Sequence, residues 1–116
     1  MKVKLNKING TIVKDNETYK LEDNNFLSNL TLSRTVLKPG QSTRGHFHEE
    51  QEEVYIFTDG KAIMTIGDDK YYASIGDTFL IPKGKFHRVE NKSNIYECGF
   101  TCIFEKYDRS SSDAKY

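Results

Sequence analysis

The sequence predicts an all-β fold, and three observations carry that prediction. Helical periodicity is nearly absent along the 116 residues, and apolar residues instead alternate in short runs. Gly, Asn, Asp or Pro interrupt those runs about every ten residues, as tight turns require. Only 36% of residues are apolar, but seven Phe and seven Tyr supply the bulk a small core needs. Together these point to a β-sandwich or barrel in a single domain.

The elements follow in order. KVKLNKI (2–8) and GTIVK (10–14) flank Asn9-Gly10, a hairpin turn signal. Residues 15–29 are polar and are expected to be irregular. LTLSRTVL (30–37) reads as a strand ending at Lys38-Pro39-Gly40. EVYIF (53–57) leads through Thr58-Asp59-Gly60 into KAIMTIG (61–67), and DDKYYAS (68–74), DTFLI (77–81) and FHRVEN (86–91) follow. NIYECGFTCIF (94–104) closes the set. Its alternation places Tyr96, Cys98, Phe100, Cys102 and Phe104 on one face and Glu97, Thr101 and Glu105 on the other, which predicts a half-buried strand. VYIF is different. Val54 and Ile56 are as apolar as Tyr55 and Phe57, so this strand needs cover on both faces, from the N-terminal strands or from a partner subunit. A homodimer is the expectation. The expected domain spans residues 1–105, with a polar tail over 106–116, and no repeat or linker divides it.

Composition excludes several classes. Lys plus Arg and Asp plus Glu both total 17, which argues against nucleic-acid binding. MKVKLNKING lacks the apolar run of a signal peptide, and no segment reads as membrane-spanning, so a cytoplasmic protein is expected. Cys98 and Cys102 lie four residues apart on one strand, about 13 Å, too far for a disulfide. They read as core thiols in a reducing compartment.

The chemistry concentrates in PGQSTRGHFHEEQEEVYIFTDG (39–60). Two of the three histidines, His46 and His48, stand one residue apart. In a strand that spacing puts both imidazoles on one face, about 6–7 Å apart, where they can converge on one ion. A carboxylate at Glu53 on the next strand can join them, and His87, behind the Gly-rich turn of GDTFLIPKGKFHRVEN, completes a three-histidine, one-carboxylate set.

These residues carry a resemblance to the cupin superfamily. The first cupin motif runs Gly40, His46, His48, Glu53, Gly60; the second runs Gly76, Pro82, Gly84, His87, Asn91. The second alone is expected by chance on the order of once in ten thousand chains of this length. The resemblance implies a jelly-roll barrel, a double-stranded β-helix, with metal ligands His46, His48, Glu53 and His87 inside it. Glu52 also satisfies one permitted spacing, but only Glu53 keeps six residues before Gly60 and shares a face with Tyr55 and Phe57. Three imidazoles and a carboxylate suit one divalent transition ion: Fe, Mn, Ni, Co or Zn.

The stretch TVLKPGQSTRGHFH, with EEVYIF and FLIPKGKFHRVEN, is similar to the archaeal-type glucose-6-phosphate isomerases and to small cupins of surface-polysaccharide synthesis. That likeness implies a metal-dependent isomerase or epimerase acting on a sugar phosphate or sugar acid. A lyase or dioxygenase acting on a small carboxylate, and a non-enzymatic cupin that binds a sugar or anion, are the alternatives. The chain is much shorter than the archaeal isomerases, which leaves the substrate open. Arg44 and Arg34 are the candidate contacts for an anionic or sugar-like substrate, Arg44 because it should share the face of His46 and Arg34 because it is set among apolar neighbours. Lys83, Lys85 and Arg88 surround the Pro82-x-Gly84 turn. Tyr55 and Glu53 are the candidate acid–base residues, and the competing reading of Tyr55 is a core aromatic.

Overall fold

The computed structural model describes residues 1–46 and 50–107. Among these the chain forms nine strands: β1 (Thr11–Asp15), β2 (Tyr19–Asn24), β3 (Leu30–Leu37), β4 (Glu53–Asp59), β5 (Ala62–Ile66), β6 (Asp69–Ala73), β7 (Thr78–Ile81), β8 (His87–Glu90) and β9 (Cys98–Glu105). No helix among the described residues is long and apolar enough to cross a membrane.

The strands form two antiparallel sheets that make up an all-β jelly roll. The larger runs β1-β2-β3-β9-β4-β7 and the smaller β6-β5-β8. The bridges Ser42↔Glu90 and His46↔His87 lay residues 42–46 along the free edge of β8. Both sheets feed one core. Leu21, Leu37, Tyr55, Phe57, Phe100 and Cys102 come from the large sheet, and Ala62, Met64, Ala73 and Val89 from the small one. At roughly 25 cal/mol per Å² of apolar area, burial of these side chains is the main force holding the sheets together.

β2 corrects the expectation of an irregular stretch over 15–29. Tyr19, Leu21 and Asp23 point inward, paired with Leu37, Thr35 and Ser33. Lys20, Glu22 and Asn24 alternate outward, and these polar residues hid the strand. The Asn9-Gly10 signal does not close a hairpin. Asn9 does take a positive φ of 55°, but the segment before it holds only a Lys4↔Lys7 bridge, and β1 pairs with β2 instead.

The N-terminal arm covers part of the outer face of β3 and β9. Ile8 is fully buried. The carbonyl of Leu5 accepts hydrogen bonds from Thr101 Oγ1 at 2.5 Å and Arg34 Nη1 at 3.4 Å. Thr101, expected on a solvated face, is therefore completely enclosed, and β9 is buried on both sides over most of its length. Tyr96 lies outside β9 and is exposed. Away from the arm, the outer face of the large sheet keeps an apolar row, Leu32–Ile103–Val54–Leu80, in register across four strands. Leu80 at its end is 72% exposed.

Candidate metal centre

The two sheets meet at Glu53, the first residue of β4, and His87, the first of β8. His46 joins them through reciprocal backbone hydrogen bonds with His87, N to O at 3.0 Å and 2.9 Å. All three side chains are buried. Glu53 Oε2 lies 3.4 Å from His87 Nε2, and Glu53 Oε1 lies 3.7 Å from His46 Nε2. The imidazoles meet edge to face, with centroids 4.2 Å apart. One ligand atom from each residue falls within 4.8 Å of the others.

The arrangement fits a small divalent ion. The carboxylate–imidazole contacts are longer than good hydrogen bonds. Ligands held about 2.1 Å from one ion stand about 3.0–3.4 Å from each other, and the Glu53–His87 and Glu53–His46 donor pairs, at 3.4 and 3.7 Å, are close to that spacing. His87 Nδ1 lies 3.0 Å from the carbonyl of Lys85. As the donor there, Nδ1 keeps the proton and leaves Nε2 as the free lone pair facing Glu53, the outer-shell arrangement usual for ligating histidines. Burial alone would push the Glu53 carboxyl up. In the metal-free site, protons on the imidazole nitrogens of His46 and His87 that face it, and the charge they bring, outweigh that and hold it well below the usual carboxylate range; an ion would take the place of those protons. Glu53 is thus an anion ready for a cation.

His48 lies outside the described residues. Tyr55 sits two residues beyond Glu53 on the inner face, edge-on to His87 at 5.5 Å and stacked on Phe100 at 5.2 Å. It is 2% exposed, so it both packs the core and touches a candidate ligand.

Neither arginine comes to the site. Arg34 is buried, but on the outer face of β3. There it donates to Asp59 Oδ2 at 2.5 Å and Thr58 Oγ1 at 2.7 Å. Gly99 makes room for this pair, since a Cβ there would lie 2.7 Å from both Arg34 Nη2 and Asp59 Oδ2. Arg34 is a structural ion pair rather than an inward-facing substrate contact. Arg44 does not share the face of His46. Gly45 between them has φ +89°, which breaks the extended alternation and leaves Arg44 exposed beside a buried His46.

Two parts of the frame were not read from the sequence. Asn91, the last position of the second motif, clamps three carbonyls, donating to Leu37 O at 3.3 Å, Lys38 O at 3.2 Å and Tyr96 O at 2.9 Å. Thr43 Oγ1 accepts from Val89 N at 3.0 Å and fixes the 42–46 segment to β8. Nothing in residue type announces either role, because each depends on long-range pairing. Cys98 and Cys102 are buried free thiols, and burial, reinforced by Asp59 against the opposing charge of Arg34, pushes Cys98 up to about 12.

Comparison with known proteins agrees with this frame. Residues 33–104 match the family model of the cupin domain. An uncharacterised protein of Methanocaldococcus jannaschii is 28% identical over 83 residues, 72% of this chain and 66% of that protein's length. Among solved structures, KdgF from a Halomonas species superimposes with a TM-score of 0.76 at 15% identity, covering 86% of this chain and 90% of that one. An RmlC-like cupin from Shewanella frigidimarina gives a TM-score of 0.75 at 14% identity, covering 89% of each chain. A mutant of the Bacillus subtilis oxalate decarboxylase OxdC gives 0.71 at 21% identity, covering 80% of this chain and 27% of that one. At these identities the structures speak for the fold alone. The motif spacing, the two-sheet barrel and the family match agree: the chain belongs to the cupin superfamily.

Proposed function

We propose that this protein is a metal-dependent cupin enzyme, an isomerase or epimerase acting on a sugar phosphate or sugar acid. The observation that supports it most is the buried Glu53 carboxylate held between the Nε2 atoms of His46 and His87. In this reading His46, Glu53 and His87, with His48, hold one divalent transition ion. When bound, the ion supplies Lewis-acid polarisation of a substrate carbonyl. The Lys85 carbonyl fixes the ring of His87. In this reading Tyr55 carries the proton, a role supported by its ring packing edge-on against His87. The exposed Leu80 and half-buried Val54 favour a second copy seated on the outer face of the large sheet. Light scattering that gives a monomer at micromolar concentration would remove that element.

The test is elemental analysis of untagged protein, followed by turnover of a panel of aldose and ketose phosphates and hexuronates. About one ion per chain and interconversion of a ketose–aldose or epimer pair are expected. Oxygen consumption by Fe(II)-loaded protein without isomerisation would replace this reading with the dioxygenase one. Binding without turnover would make the protein a sensor. Tyr55→Phe should lower kcat by about 10²–10⁴ with metal content unchanged. An unchanged kcat would assign Tyr55 to packing alone.

A further inference from the structure

The strands that carry His87 and Met64 inward carry a different set of side chains outward. The register aligns Lys70, Thr65 and Arg88 in one row across β6, β5 and β8, and Tyr72, Ile63 and Glu90 in the next. Ser42 extends the second row through its bridge to Glu90. The turn at Gly45 that brings His46 inside sends Arg44 to this outer side.

Two depressions cross the face and share Lys70. One, of about 620 Å³, is lined by Ser42, Arg44, Thr65, Lys70, Phe86 and Arg88. The other, of about 230 Å³, includes Ile63, Tyr72 and Lys92. Each holds an aromatic ring reachable from solvent, Phe86 at 39% and Tyr72 at 90% exposure. Glu90 lies in the second depression, 3.6 Å from Arg88 Nη1 and 3.3 Å from Lys92 Nζ. Arg44 and Lys70 form no ion pair among the described residues. In a chain of zero net charge, this face has a local cationic excess.

The spacing selects the ligand. Lys70 and Arg88 stand two strands apart, about 10 Å between backbones. Arg88 is held away from Lys70, because its Nε donates to the carbonyl of Thr43 at 3.1 Å. One small oxyanion would not satisfy both cations, whereas a chain with charges on successive units would. Exposed rings stack on sugar faces, and the half-buried Ser42 offers a hydroxyl beside Arg44. The balanced overall charge disfavours nucleic acid.

We propose that the outer face of the small sheet docks acidic oligosaccharides, saccharide chains bearing a carboxylate on successive sugars, separately from the metal centre. Arg44, Lys70 and Arg88 meet the carboxylates, and Phe86 and Tyr72 meet the rings. This surface stands whether or not His46, Glu53 and His87 hold an ion.

The test is NMR titration of the full chain with tetragalacturonate at low ionic strength, with maltotetraose and a single-stranded oligonucleotide as comparators. Tetragalacturonate should shift amides across 63–72 and 86–90 with a Kd below about 1 mM, and added salt should weaken it. The Arg44→Ala/Lys70→Ala double variant and Tyr72→Ala should each weaken it at least tenfold, with metal content and the thermal midpoint unchanged. All these side chains are exposed, so the variants should fold. Absence of binding, shifts confined to the Glu53 region, equal affinity for maltotetraose, tighter binding of the oligonucleotide, or unchanged affinity in the variants would each overturn the proposal.

Discussion

Replacing Gly45 by alanine tests whether this one residue sets the geometry of the site. Two costs can be separated. The first is conformational: at φ +89° an L side chain is strained by about 1–2 kcal/mol. The second is steric. A Cβ at Gly45 would collide with the Phe86 ring, 2.6 Å from its Cε1, and would stand 3.2 Å from the His87 carbonyl oxygen. The Phe86 ring is partly exposed and can swing away, losing some of its burial. The His87 carbonyl is backbone, and it pairs with the N–H of His46. Together these add about 1 kcal/mol. Gly76 is the internal control, with φ +92° and no atom within 4 Å of the point a Cβ would occupy. By calorimetry of the metal-free protein, Gly45→Ala should therefore melt about 4 °C below Gly76→Ala. By competition with a chromophoric chelator, Gly45→Ala should bind Zn(II) at least tenfold more weakly than the parent, while Gly76→Ala binds it equally well. Equal melting losses together with unchanged Zn(II) affinity in Gly45→Ala would refute the reasoning, because the turn would then adapt without moving His46 against His87.

Three further expectations concern the ionisable groups. His48→Ala and Glu53→Gln should each lose most of the bound metal while keeping the parent's far-UV circular dichroism, and metal content equal to the parent's would show that the residue is not a ligand. Because the Glu53 carboxyl is held low in the folded protein, its stabilisation is present above about pH 4.5 and is lost as pH falls; the melting temperature of parent metal-free protein should drop more steeply below that pH than that of Glu53→Gln. Cys98 runs the other way. With its thiol pushed up to about 12 against an ordinary value of 9.0, its contribution is complete below about pH 9 and is lost as pH rises toward 12. At pH 8 a thiol reagent should react with neither cysteine in the native state and with both after unfolding.

Much of the fold was legible because its signals are local. The run LTLSRTVL is β3 to the residue, and the motif glycines Gly40, Gly60, Gly76 and Gly84 all adopt the positive φ that a sharp reversal needs. The cupin resemblance nominated His46, His48, Glu53 and His87, and the fold brings His46, Glu53 and His87 together, with His48 outside the described residues. The failures came where a neighbour changed the outcome. Strict alternation placed Arg44 beside His46 until Gly45 broke it. Arg34 was read as pointing inward toward substrate, but it lies on the outer face, because its partner, Asp59, is 25 residues away on another strand. β2 was hidden because half of its residues face water and carry polar groups.

The hairpin of β1 and β2 has a role that the family match, beginning at residue 33, leaves out. All eight residues of β3 pair with β9 on one side, and six of them, Leu32 to Leu37, pair with β2 on the other. A chain cut at residue 33 would lose Leu30 to Leu32 as well as β2, and would leave Ser33 to Leu37 as a sheet border with open hydrogen-bonding groups, a template for pairing with another molecule. It would also strip Tyr19 and Leu21 from the core. The first 24 residues are thus the guard that keeps this barrel from polymerising through its own border, and trimming to the family boundary should produce aggregates rather than a smaller cupin.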